Sequence, residues 1–180
     1  RPLDMNLFSS SPFLEHLVIK NESNAIVTNL DALQFCAQIQ TLSLEGLRPE
    51  DSREWEVLGA FRHLRVLEVS GIDDGEVFHN ALCHLRELEY LSVHGGNLQP
   101  DVFNALDNAP RLRGLKISKL PWRGNKGLAQ MGSLATRAQI VMQDIPWSSK
   151  ARELAWTQRP GRFTFRINNH LRLDKSNPSL

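Results

Sequence analysis

His79, Cys83 and His84 fall within six residues of one another, with His79 and Cys83 one helical turn apart. That spacing could set two donors on one zinc ion. A structural zinc site takes four ligands, commonly as two close pairs, and the chain has no second pair of this kind. No metal is expected, and Cys83, lying among Phe78, Ala81, Leu82 and Leu85, reads as a core side chain. Cys36 has Phe35, Ala37 and Gln38 beside it, without the base and oxyanion donors that a thiol nucleophile needs. "RGNKG" at 123–127 suggests a phosphate loop but lacks the G-x-x-x-x-G-K-[ST] frame and the buried strand before it. There is no G-x-S-x-G, no H-E-x-x-H and no carboxylate pair set for acid–base work. Neither an enzyme active site nor a cofactor is expected, so function must lie in what the surface binds.

The elements that would build such a surface are written as a repeat. "LRVLEVSG" at 64–71 returns 24 residues later as "LEYLSVHG" at 88–95. The frame L-x-x-L-x-L runs through Leu14, Leu17, Ile19; Ile39, Leu42, Leu44; Leu64, Leu67, Val69; Leu88, Leu91, Val93; and Leu112, Leu115, Ile117. First positions are spaced 25, 25, 24 and 24. A sixth copy keeps Ile140 and Met142 with Arg137 first, and a seventh reads Phe165 and Ile167 with Arg162 first. Leu120-Pro121-Trp122 returns as Ile145-Pro146-Trp147 in the same phase.

Each L-x-L unit alternates as a half-buried strand does. Between units the apolar spacing is helical. "DSREWEVLGAF" carries Trp55, Leu58 and Phe61 behind Asp51 or Ser52 as N-cap, and "QPDVFNAL" places Pro100 at a helix start. Parallel strands sit about 4.8 Å apart and packed helices 8–10 Å apart. Stacked strand–helix units must therefore curve, with strands inside. The expected fold is an α/β right-handed solenoid with a concave parallel sheet and convex helices.

These repeats of 24–25 residues resemble those of leucine-rich repeat proteins over roughly residues 14–171. "LEVSGIDDGEVFHNALCHLREL" is similar to the repeats of F-box proteins, and "FRHLRVLEVSG" to those of intracellular immune receptors. The resemblance implies a protein-recognition module, the partner-binding arm of a larger protein such as an F-box-type ubiquitin-ligase receptor or an immune sensor.

Repeat phase arranges the inward strand residues in columns. One reads Val18, Ser43, Glu68, Ser92, Lys116, Val141, Arg166; the next Lys20, Glu45, Ser70, His94, Ser118, Gln143, Asn168; a third His16, Thr41, Val66, Tyr90, Gly114, Gln139, Thr164. Aromatic and charged residues in the middle make Glu68, Tyr90, Ser92, His94, Lys116 and Arg166 the candidate partner contacts.

Charge is divided along the chain. Residues 1–110 hold 7 Lys and Arg against 17 Asp and Glu, while residues 111–180 hold 14 against 3. The basic end suits an acidic protein surface. The alternative is a nucleic-acid-associated or structural assembly subunit that uses "RPGRFTFRINNHLRLDK", although a basic patch alone is only an electrostatic footprint. No apolar run approaches the roughly 20 residues of a membrane span. Two cysteines are too few for a disulfide framework and point to an intracellular place, cytoplasmic or nuclear. Asn21-Glu22-Ser23 forms the acceptor triplet for N-glycosylation, a pattern common by chance. "MNLFSSSPFL" aligns with "LDALQFCAQI", Met5 on Leu30 and Phe8 on Leu33. The expectation is one repeat domain over 1–180, with 1–13 the tail of an earlier repeat and 172–180 a polar tail, cut from a longer protein.

Overall fold

The computed structural model describes residues 2–122, 131, 133–146 and 163–166, the last four as backbone. The loop at 123–127, Trp147, Arg162 and Ile167 lie outside the described residues. Eight strands form one parallel sheet in sequence order. They are β1 (Leu3–Asp4), β2 (His16–Thr28), β3 (Thr41–Pro49), β4 (Val66–Ile72), β5 (Tyr90–Gly96), β6 (Gly114–Ser118), β7 (Gln139–Gln143) and β8 (Phe163–Arg166). The repeat predicts their register: Leu17 pairs with Leu42, Leu42 with Leu67, Leu67 with Leu91, Leu91 with Leu115 and Leu115 with Ile140. These second anchors, and the third anchors from Leu44 to Met142, are buried; Ile19, at the open end of the stack, is half-buried.

The return segments differ from expectation in kind. Among the elements bounded within the described residues, Gly75–Leu82, here α1, is an α-helix, whereas Met5–Phe8, Leu30–Phe35, Ser52–Ala60, Pro100–Asn108 and Leu134–Thr136 are 3-10 helices. The buried residues explain why. Leu30, Leu33, Cys36 and Ile39 step by three, as do Trp55, Leu58, Phe61 and Leu64, and Phe103, Leu106, Ala109 and Leu112. A 3-10 helix has three residues per turn, so a period of three lays every anchor on one line. The α1 repeat reads Phe78, Leu82, Leu85 and Leu88, and its one four-residue step accommodates an α turn. Caps fall where the side chains allow. Asp51 accepts from the Arg53 amide at 2.9 Å, and Asp74 from the Glu76 and Val77 amides at 3.1 Å. The left-handed Asn29 makes no side-chain cap; instead Glu54 of the next repeat accepts from the Leu30 amide at 2.7 Å.

Met5 is fully buried, at the helix position that Leu30 takes one repeat later, and Asn29 Nδ2 donates to Asp4 Oδ1 at 3.0 Å. The first anchor of the sixth copy, Arg137, is put to a different use. Its guanidinium donates to the Ala109 carbonyl and, at 2.7 Å, to the Leu106 carbonyl, closing the end of the Pro100–Asn108 helix. Arg137→Ala should cost about 1–3 kcal/mol by leaving these carbonyls without that donor. Urea unfolding of the purified chain measures it.

The last strand corrects the expected register. Ile140 pairs with Phe163 and Met142 with Phe165, so β8 enters two residues early. Arg166 therefore stands opposite Gln143, in the column of His94 and Ser118, and Thr164 takes the place next to Val141 in the column of Lys116. A two-residue slip keeps the same side chains on the same face, and the alternation of Phe163, Phe165 and Ile167 accepts either register.

Candidate functional site

The sheet's inward face has a floor and a rim. Ser43, Ser70, Ser92 and Ser118 are the buried polar side chains among the described residues, each 4% exposed or less, and all four lie on this face. Burial obliges a hydroxyl to find a partner. Ser43 Oγ donates to Glu68 Oε2 at 2.8 Å. Ser70 Oγ accepts from the Gly46 amide at 2.8 Å and donates to the Leu47 carbonyl at 3.4 Å. Ser118 Oγ lies 2.9 Å from His94 Nδ1, and Ser92 bonds the Tyr90 side chain. Ser92, a candidate contact by column, is itself buried, and its bond is to Tyr90 two residues back on the same strand. Glu68 and His94 reach across strands to serines one repeat away, Ser43 on β3 and Ser118 on β6.

Electrostatics divide the face at Tyr90. On the β2–β4 side, Lys20 Nζ lies 3.0 Å from Glu45 and 3.9 Å from Glu68. Its hydrogen bond to Glu45 and the two carboxylates raise the ammonium above its ordinary value. On the β6 side, Lys116 has no carboxylate within 4 Å among the described residues, and neither has Lys119. Desolvation first, and Glu68 next, raise the Tyr90 phenol, so it stays neutral. For His94, desolvation and then Lys119 hold the ring below its ordinary value of 6.5; Lys116 acts the same way, and Glu45 and Asp144 oppose it.

This depression has a sign. The folded chain favours neutral His94, so its contribution is complete above about 6.5. It is lost as pH falls from there through the folded midpoint. An NMR titration should place the His94 midpoint below 6.5, and Lys119→Gln should raise it. A midpoint at or above the ordinary value would contradict the arrangement.

Of the six candidate residues, the structure brings Glu68, Tyr90, Ser92, His94 and Lys116 together on β4, β5 and β6. Arg166 lies two strands further on, on β8, and is described by its backbone alone. Column reasoning undervalued Lys20 and Glu45, whose pairing closes the acidic side. It also passed over a polar notch of about 560 Å³ at the strand ends. Asn21, Glu22 and Asn24 line its edge, and left-handed Gly46, Gly71, Gly95 and Gly96 line its wall. Residues 21–24 bulge from β2 between the pairings of Lys20 with Glu45 and of Ala25 with Leu47. Gly46, Gly71 and Gly95, spaced 25 and 24 residues apart, are its signal in the sequence.

The cysteines and histidines set aside as ligands have ordinary roles. Cys36 is buried and its Sγ lies 3.3 Å from the Phe8 carbonyl oxygen; burial raises its thiol. Cys83 is half-buried against the core, and His79 Nδ1 lies 3.2 Å from the Val102 carbonyl oxygen. Among the described residues no three His, Cys, Asp or Glu side chains converge as a metal site would need, and no helix is long and apolar enough to cross a membrane.

No protein-family model matches the chain. No curated protein matches it either. Solved structures do. Internalin C2 of Listeria monocytogenes superposes with a TM-score of 0.59 at 16% identity, over 92% of this chain and 76% of that one. An internalin F from the same organism gives a TM-score of 0.50 at 15% identity, over 91% of this chain and 57% of that one. At such identity the likeness concerns the fold. With its consecutive parallel strands, buried L-x-L anchors and short outer helices, the chain is a leucine-rich repeat solenoid.

Proposed function

We propose that the chain is a protein-recognition module that binds its partner on the concave face. The observation that carries this reading is the cross-strand bonding of that face. Ser43 with Glu68 and Ser118 with His94, bonded from strand to strand, hold large polar side chains in place before any partner arrives. A surface ordered in advance loses less entropy on binding. An extended parallel sheet suits a protein segment better than a small substrate. The unpaired cysteines support an intracellular setting. The sequence likeness to F-box and immune-receptor repeats supports a place as the binding arm of a larger protein.

Charge should set the approach. Lys116 faces outward from β6, and Arg166 belongs to the strand two further on. Reversing both to Glu should slow association with an acidic partner and flatten its dependence on salt, because less long-range attraction remains to be screened. Reversing Glu68 should do little harm or speed association. Stopped-flow association at several ionic strengths tests this, and an unchanged rate and salt slope in the double variant would remove the basic end from the interface. Retention on nucleic acid in place of protein would favour the assembly-subunit reading.

A further inference from the structure

Beside Tyr90 the concave sheet contains a cleft of about 320 Å³, lined by Tyr90, Gly114, Leu115, Lys116, Gln139 and Val141. It exists because Gly114 interrupts its column. Tyr90 pairs with Gly114 across β5 and β6, and a Cβ added to Gly114 would lie 2.7 Å from Tyr90 Cδ2 and 3.3 Å from Cε2. The ring therefore lies over bare backbone. Its edge is covered, and the space beyond Gly114 stays open as far as Gln139 of β7, which pairs with Gly114. Lys116, two residues along β6 on the same face, pairs with Val141 and closes the cleft's other end. The lining thus combines an aromatic ring and a valine with one ammonium that no described carboxylate approaches within 4 Å.

We infer that this cleft seats an acidic side chain of the partner, a glutamate or aspartate, with its carboxylate on Lys116 and its methylenes against Tyr90 and Val141. The inference rests on the recognition reading and makes one contact of it specific. At about 320 Å³ the cleft has room for an acidic side chain. Charge supports the sign and the position. Across the ring from Lys116 stands Glu68, with Glu45 behind it on β3. An acidic residue displaced by two strands, about 10 Å, would meet two carboxylates that share the one ammonium of Lys20, a net negative site. The carboxylates of β3 and β4 and the ammonium of β6 thus direct a partner segment that crosses the strands, acidic part toward β6.

The experiment is an NMR titration of the ¹⁵N-labelled chain with a blocked pentapeptide holding one central glutamate among alanines. The same peptide with glutamine in the centre is the control. The glutamate peptide should shift the amides of Gly114, Lys116 and Val141, and the glutamine peptide should bind about tenfold more weakly, as loss of a hydrogen bond to a charged group implies. Lys116→Gln should abolish the difference between the two peptides, whereas Lys119→Gln, outside the cleft, should preserve it. Spectra confirm that each variant is folded. Equal shifts with both peptides, or shifts confined to other residues, overturn the inference. Failure here with Tyr90→Ala still abolishing capture of the protein partner leaves the recognition reading standing. Undiminished capture by Tyr90→Ala and by the Lys116 and Arg166 reversals would defeat that reading itself.

Discussion

Leu67→Asp should leave no cooperative thermal transition. Leu67 is wholly buried in β4, between Leu42 of β3 and Leu91 of β5, so an aspartate there would have apolar neighbours on both sides. A buried carboxylate without a partner costs several kcal/mol, against a whole-domain stability of about 5–15 kcal/mol. Each repeat is stable only because its neighbours cover it, so damage in a central one reaches the rest. Glu68→Ser, one residue away on the solvent side, should melt as the parent does apart from the lost bond to Ser43. Circular dichroism melts of the pair test the register directly. A Leu67→Asp chain with parental helicity and melting would mean that the strand faces the other way.

The second large effect comes from glycines that share a backbone conformation and differ in surroundings. Gly46 and Gly95 have φ of +70° and +67°. A Cβ on Gly46 would fall 1.5 Å from the Asn21 carbonyl oxygen, whereas one on Gly95 would meet nothing within 4 Å. Gly95→Ala carries only the cost of a left-handed L-residue, about 1–2 kcal/mol. Gly46→Ala must also push the bulge at 21–24 off β3, for a total of about 3 kcal/mol or more. In a chain of this size the melting temperature should fall roughly 10 °C for Gly46→Ala and roughly 4 °C for Gly95→Ala. Equal shifts would mean that the bulge does not pack on Gly46.

Much of this architecture is legible in the residues. The leucines at 64, 67, 88 and 91 foretell strand register because second anchors must stack for the core to be continuous. Spacing of three in Leu30, Leu33 and Cys36 also encodes a 3-10 helix, yet over so short a stretch it passes for the face of an α-helix. The bulge at 21–24 was hidden by compensation. The Leu30–Phe35 helix is six residues against nine in Ser52–Ala60, so the repeat length stays at 25. The phase slip at β8 was hidden because period-two alternation is blind to a shift of two. At the site, column order placed Glu68, Tyr90, His94 and Lys116 on one face. It could not foresee that Ser92 would be buried, since column order gives the face of a residue and not how closely its neighbours pack over it.

The central claim, that the concave face is the recognition surface, is met most directly by site-specific photo-crosslinking in cells that produce the full-length protein. A photoreactive amino acid placed at Lys116 or His94 samples the concave face. The same group at Asn80 or Asn104, exposed on α1 and on the Pro100–Asn108 helix, samples the convex one. One discrete protein adduct is expected from positions 94 and 116 and none from 80 and 104. Adducts from 80 and 104 alone would contradict it and move recognition to the outer helices.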